Sequence, residues 1–236
     1  MKKEVLLSII IPMYNLESYI CDGIESVLGA VGPMNSNDYE IIVVDDKSSD
    51  ASIEAVKKNI NIKNLKIIEK DNNSGVSDTR NTGLKESSGK YVAFFDGDDK
   101  LSPEIYYKAI NKLASSRADF LIFYSCEILN NGMICKSKYD YSKFSFATDL
   151  LSEYLNDKIS MSVCDKVYRR DFLIDHKIEF DNTLFYGEDV IYNLCVLNYT
   201  NNVAFLDEVG YLYLQRESSA MHVYKNKMLG LASIAN

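Results

Sequence analysis

Five short apolar runs, at 6–12, 39–46, 65–70, 91–95 and 119–125, are each separated from the next by a segment with helical spacing. This alternation constrains the fold more than any other feature. Runs such as "LLSIIIP" and "YEIIVVDD" carry apolar residues at consecutive positions rather than every second one. A strand of that kind needs apolar cover on both faces, as parallel strands between two helical layers have. The intervening segments supply that cover. In 18–31, Ile20, Ile24, Val27, Leu28 and Val31 recur at three- and four-residue spacing and form one face of a helix. Helices are likewise expected at 49–60, with Asp50 as N-cap, at 74–87 despite Gly83, and at 102–116, with Ser102 as N-cap and Pro103 in its first turn. The expected class is α/β, with a mostly parallel central sheet flanked by helices.

The second half is less regular. Residues 130–145 read as a hairpin or excursion. Helices are expected near 147–157 and at 187–199, and strands at 202–206 and 210–214. No repeat or low-complexity linker interrupts the 236 residues, so one domain over 1–236 is expected. Its halves are 1–125 and 126–220, and the tail 221–236 has the spacing of a helix that a longer chain would continue.

In sheets of this kind ligands bind beyond the carboxyl ends of the strands. The acidic residues gather there: Asp45 and Asp46 after the second run, and Asp96, Asp98 and Asp99 in "YVAFFDGDDK" after the fourth. Like charges this close raise one another's pKa unless a cation joins them. Hard oxygen donors at a strand end suit Mg²⁺ or Mn²⁺, which complete their shell with water and substrate phosphates. Each group also has a plainer reading, as a helix cap or a solvated loop.

Composition narrows the partners. A net charge of -8 with only short basic clusters, such as "KVYRRDF", argues against a nucleic-acid binder. The five cysteines are scattered and never form CxxC, which fits reduced thiols inside a cell. The N-terminal apolar run is too short to span a membrane. Three chemistries fit poorly. Haloacid-dehalogenase phosphatases begin with their Asp-x-Asp strand, and here three strands precede it. Receivers carry the acidic pair after the first strand, not the second. Dinucleotide, P-loop and nucleotidyltransferase sites need a glycine-rich turn after strand one, where this chain has "PMYNLES". A non-catalytic nucleotide- or receiver-type binding domain, or a nucleotidyltransferase, stays open as an alternative.

Seven segments in order, "SIIIPMYN", "YEIIVVDDKSSD", "NNSGVSDTRNTGL", "GKYVAFFDGDD", "CDKVYRRDFL", "YGEDVIYN" and "YLYLQRESSA", resemble the family 2 inverting glycosyltransferases of the GT-A fold, of the type that builds bacterial surface polysaccharides. The resemblance covers about residues 6–220. It implies a Rossmann-like nucleotide-binding half and an acceptor-binding half. It further implies transfer of a sugar from a nucleotide-diphosphate sugar, with UDP expected, to a glycan or lipid-linked acceptor. Pro12, Tyr14 and Asn15 would line the nucleotide pocket, Asp46 would contact uracil or ribose, and Asp71 and Arg80 would lie along the nucleotide. Asp96 would hold the ribose side, and Asp98 and Asp99 the Mn²⁺ or Mg²⁺ ion. Gln215, Arg216 and Ser218 would close over the diphosphate, with His222 as a further metal ligand. Asp189 would be the general base, and Glu188 either neighbours the acceptor or simply opens the helix with Asp189. Lys166 would lie near acceptor or donor, unless "CDKVYRR" is a basic surface turn. The resemblance implies a cytoplasmic enzyme, with peripheral contact at the inner face of the membrane as a further expectation.

Overall fold

A computed structural model describes residues 4–128, 137, 139–144, 148–200 and 202–214. The first half follows the sequence closely. Strands β1 (Leu7–Met13), β2 (Tyr39–Asp45), β3 (Leu65–Glu69) and β4 (Tyr91–Phe94) alternate with α1 (Ile20–Val31), α2 (Ser52–Asn59) and α3 (Val76–Glu86). β1 pairs in parallel with β2 and β4, and β2 with β3. Ile9, Ile10 and Ile11 are all fully buried, as residues on both faces of a covered strand must be.

From β4 onward the pairing becomes mixed. The strand order is β3-β2-β1-β4-β7-β6-β8-β5. Here β5 is Lys100–Leu101, β6 is Phe120–Ile128, β7 is Lys166–Arg169 and β8 is Val203–Leu214. β7 runs antiparallel to both β4 and β6, so one sheet passes through both halves of the chain. The segment "KVYR", expected near a substrate or at the surface, is therefore a central strand, with Val167 and Tyr168 fully buried. Its flanking charges hid it from the periodicity.

Three local expectations change. The two strands anticipated at 202–206 and 210–214 are one strand, β8. Exposed Asp207 and Glu208 interrupt the apolar pattern, but the backbone continues beside register shifts at Phe123/Tyr124 and Tyr124/Ser125 of β6, as a bulge allows. Helix α4 (Ile105–Ser116) starts later than Ser102 and Pro103 suggested. Its cap is Glu104 at φ 61, and the Ser102 amide instead donates to Gly210 O of β8 at 2.9 Å. Asp50 lies one residue outside the α2 cap position but still accepts from the Ser52 amide at 3.0 Å.

The remaining helices are α5 (Leu150–Leu155), α6 (Arg170–Asp175) and α7 (Glu188–Tyr199). The excursion at 130–145 lies mostly outside the described residues, as does the tail. Gly83 is where α3 crosses β1: a Cβ there would stand 2.3 Å from Ile10 Cγ2. Cys21, Cys126, Cys164 and Cys195 are free thiols. No helix among the described residues is long and apolar enough to cross a membrane.

Candidate active site

The ends of β1, β2, β3 and β4, the start of α3 and the start of α7 meet at one edge of the sheet. At β1, Asn15 takes a left-handed conformation, φ 53, and its Oδ1 accepts from the Ser49 amide at 2.8 Å. Its own amide donates to Ser48 Oγ at 2.9 Å. These bonds join the β1–α1 and β2–α2 loops. Pro12 is half-buried and Asp71 exposed. Tyr14 is likewise exposed.

Asp46 is 4% exposed and organises the loop after β3. Its Oδ1 accepts from Lys70 Nζ at 2.7 Å and the Ser74 amide at 3.0 Å, and its Oδ2 from the Gly75 amide at 2.8 Å. Lys70 also reaches Asp78 at 2.7 Å and holds its carboxyl below the usual range. Gly75 has φ 91, a backbone that favours glycine. Lys70, Ser74 and Gly75 escaped the sequence reading because their role exists only once the β2 and β3 ends stand side by side.

Arg80 is the centre of the site. It is 3% exposed, on the buried face of α3. Nη2 meets Asp96 Oδ1 at 2.9 Å, and Nη1 meets Asp189 Oδ1 at 2.8 Å and Glu188 Oε1 at 3.2 Å. Its Cζ lies 5.2 Å from the Phe180 ring centroid, within cation–π range, and Phe180 stacks on Tyr192 at 4.0 Å. Burial works against the charge, but Asp189 and Asp96 outweigh it and hold the guanidinium protonated. Next to Arg80, Asn81 Oδ1 accepts from the Phe180 amide and Nδ2 donates to Phe180 O, both at 2.8 Å. This pair ties α3 to the segment that leads into α7.

Asp189, in the first turn of α7, keeps a side chain 23% exposed. Its Oδ2 accepts from the Val163 amide at 3.2 Å. Burial pushes its carboxyl up to about 6; Arg80 opposes that, while Asp96 and Glu188 add to it. Glu188 shares the guanidinium, so the pair is more than an acidic helix start.

The turn 96–99 leads directly into β5. Gly97 packs on α1 closely enough that a Cβ on Gly23 would stand 2.3 Å from Gly97 O. Asp96 and Asp98 are half-buried, while Asp99 is 3% exposed. Tyr211 OH donates to Asp99 Oδ2, and the Leu214 amide donates to Oδ1 at 2.8 Å. Burial and then Asp96 push the Asp99 carboxyl up to about 7, against those two bonds. Asp99 therefore ties the turn to the end of β8. Among the described residues no cluster of three or more His, Cys, Asp or Glu could hold a metal ion. A divalent ion bound through phosphates needs only one or two carboxylates, and Asp96 and Asp98 fit that smaller donor set. Gln215, Arg216, Ser218 and His222 lie outside the described residues.

The sequence matches the family described as Glycosyl transferase family 2 over residues 8–175. It is 29% identical over 217 residues to the poly(ribitol-phosphate) beta-N-acetylglucosaminyltransferase TarS of Staphylococcus aureus, covering 91% of this chain and 36% of that protein. It is 27% identical over 221 residues to the poly(ribitol-phosphate) beta-glucosyltransferase of Bacillus spizizenii, covering 92% and 33%. The chain thus spans about a third of these relatives' length. The crystal structure of S. aureus TarS 1-349 in complex with UDP-GlcNAc superposes with a TM-score of 0.77 at 27% identity, over 92% of this chain and 60% of that one. The GT-A fold is shared with these neighbours. With the matched family spanning more than half of its residues, this chain belongs to glycosyl transferase family 2.

Proposed function

We propose that the chain transfers a sugar from a UDP-sugar to a hydroxyl of a surface-glycan acceptor, with inversion at the anomeric carbon. The observation that carries this reading is the Arg80 cluster. One buried guanidinium holds the Asp96 turn on one side and the Asp189 carboxylate on the other. It forms the floor of a site that needs a departing diphosphate at one end and a base at the other. Attack opposite the leaving group inverts the centre.

Asp189 takes the acceptor proton. A base is most effective when its pKa lies near the working pH, and the value of about 6 meets that requirement. Arg80 keeps Asp189 ionised and oriented without itself leaving the protein interior. The loop ordered by Asp46 receives the nucleoside; the sharing of this fold with TarS structures solved with UDP and with UDP-GlcNAc supports a nucleotide at the sheet edge. Asp98, with Asp96, would hold Mn²⁺ or Mg²⁺, which when bound supplies positive charge to the departing diphosphate. Two relatives named as poly(ribitol-phosphate) glycosyltransferases support a polyol-phosphate or glycan acceptor.

The test is a thermal-shift and calorimetric titration with UDP and UDP-GlcNAc in Mn²⁺, followed by UDP release from UDP-GlcNAc. Stabilisation by the nucleotide is expected because a ligand of the folded state alone raises the melting temperature. Absence of binding by every UDP-sugar tried would remove the UDP assignment. Binding without turnover, in Asp189→Asn and wild type alike, would leave a non-catalytic nucleotide-binding domain.

A further inference from the structure

Lys166 stands in a central strand, 1% exposed, where ammonium groups are costly unless fully paired. It is fully paired. Nζ donates to Asp165 Oδ1 and to Ser160 O, both at 2.8 Å, and to Ser162 O at 2.5 Å. Two of those three acceptors are backbone carbonyls of one turn. The same turn is braced from α7, where Asn193 Nδ2 donates to Met161 O at 2.8 Å. It is braced also by Tyr141, whose OH accepts from the Ser160 amide at 3.2 Å. The next backbone amide along, that of Val163, is the one that donates to Asp189 Oδ2.

We infer that Lys166 is a positioning residue for the general base: by clamping the Ser160 and Ser162 carbonyls it fixes the amide that orients the Asp189 carboxylate. The inference rests on Asp189 being the base. Asp189 is gripped from two sides, with Arg80 on Oδ1 and Val163 on Oδ2. Arg80 is held by three carboxylates of its own, but the Val163 amide depends on a short turn. Without the ammonium that holds its carbonyls the turn would shift, and an error of about 1 Å at a reacting group can cost roughly 10²-fold in rate. A salt bridge inside the sheet is weak evidence of stability, because apolar replacements of similar volume are often neutral. Asp165 Oδ2 lacks a hydrogen-bond partner among the described residues, so the pair is not optimised for its own sake. The ammonium's three directed donors explain its presence better.

The test uses the chain with UDP-GlcNAc and Mn²⁺, with water as acceptor and UDP release as readout, in Lys166→Met and in Asp165→Asn/Lys166→Met. The double variant removes both charges together, so that no lone buried charge remains. The expected result is a fall in kcat of roughly 10²-fold, with KM for UDP-GlcNAc and the UDP dissociation constant unchanged. In an Asp189→Asn background the Lys166 substitution should lower kcat further by no more than about twofold, because the carboxylate it positions is gone. An unchanged kcat, a full further loss in the Asp189→Asn background, or loss of UDP binding in both variants would overturn the inference, the last because Lys166 would then serve the fold as a whole. Should Asp189→Asn alone keep wild-type turnover, the base assignment fails first, and the two failures are thereby told apart.

Discussion

Arg80 Nη1 lies 2.8 Å from Asp189 Oδ1, across 109 residues of sequence. The contact joins α3 of the first half of the chain to α7 of the second, within the proposed active site. Replacing Arg80 with Met should leave Asp96, Glu188 and Asp189 crowded without a counter-charge. Breaking a buried pair costs about 3–5 kcal/mol; these carboxylates are partly exposed, so about 2–4 kcal/mol is expected. Thermal unfolding should show a fall of roughly 5–15 °C, together with loss of transfer.

The acid limb of kcat/KM should report Asp189. Its carboxyl stands at about 6 in the folded protein, above the ordinary aspartate value of 3.8, and a base works only when ionised. Activity should therefore fall with decreasing pH through about 6. Glu188→Gln removes a neighbouring charge that raises Asp189, so the limb should move to lower pH. An acid limb that stays in place in that variant would dissociate it from Asp189. Asp189→Asn should keep UDP affinity and lose roughly 10²–10⁴-fold in rate.

Asp46→Ala should act at a distance from the chemistry. It leaves the Ser74 and Gly75 amides and Lys70 without their acceptor. An unsatisfied buried group costs about 1–3 kcal/mol, so the loop after β3 should open and UDP binding weaken. Calorimetry with UDP checks this, and unchanged affinity would separate Asp46 from the nucleotide.

Asp98 and Asp99 should differ. Asp98→Asn should raise the Mn²⁺ concentration needed for half-maximal UDP release. Asp99→Asn should resemble Tyr211→Phe, because both break the link between the turn and β8, and should change thermal stability more than Mn²⁺ dependence. Equal Mn²⁺ shifts in the two aspartate variants would support Asp99 as a metal ligand alongside Asp98.

Gly23→Ala should disturb the same turn from behind. A Cβ there would meet the Gly97 carbonyl at 2.3 Å, and backbone cannot swing aside as a side chain can. Overpacking of this kind costs about 1–3 kcal/mol, read as a lower melting temperature together with weaker Mn²⁺-dependent turnover.

The sequence by itself determined the parallel half of the sheet, its covering helices and the edge where acidic residues collect, because continuous apolar runs leave only one arrangement that buries both faces. Its ordered motifs also carried the family. The tertiary structure decided what no local pattern encodes. "KVYR" reads as a polar turn until Ser160, Ser162 and Asp165 surround Lys166, and then it is a central strand. Asp98 and Asp99 are alike as letters, yet β8 returns beside the turn and takes Asp99 for itself. The Arg80 cluster draws its carboxylates from positions 96, 188 and 189. Charge pairing depends on distance in space, and those distances are set only when the two halves close on each other.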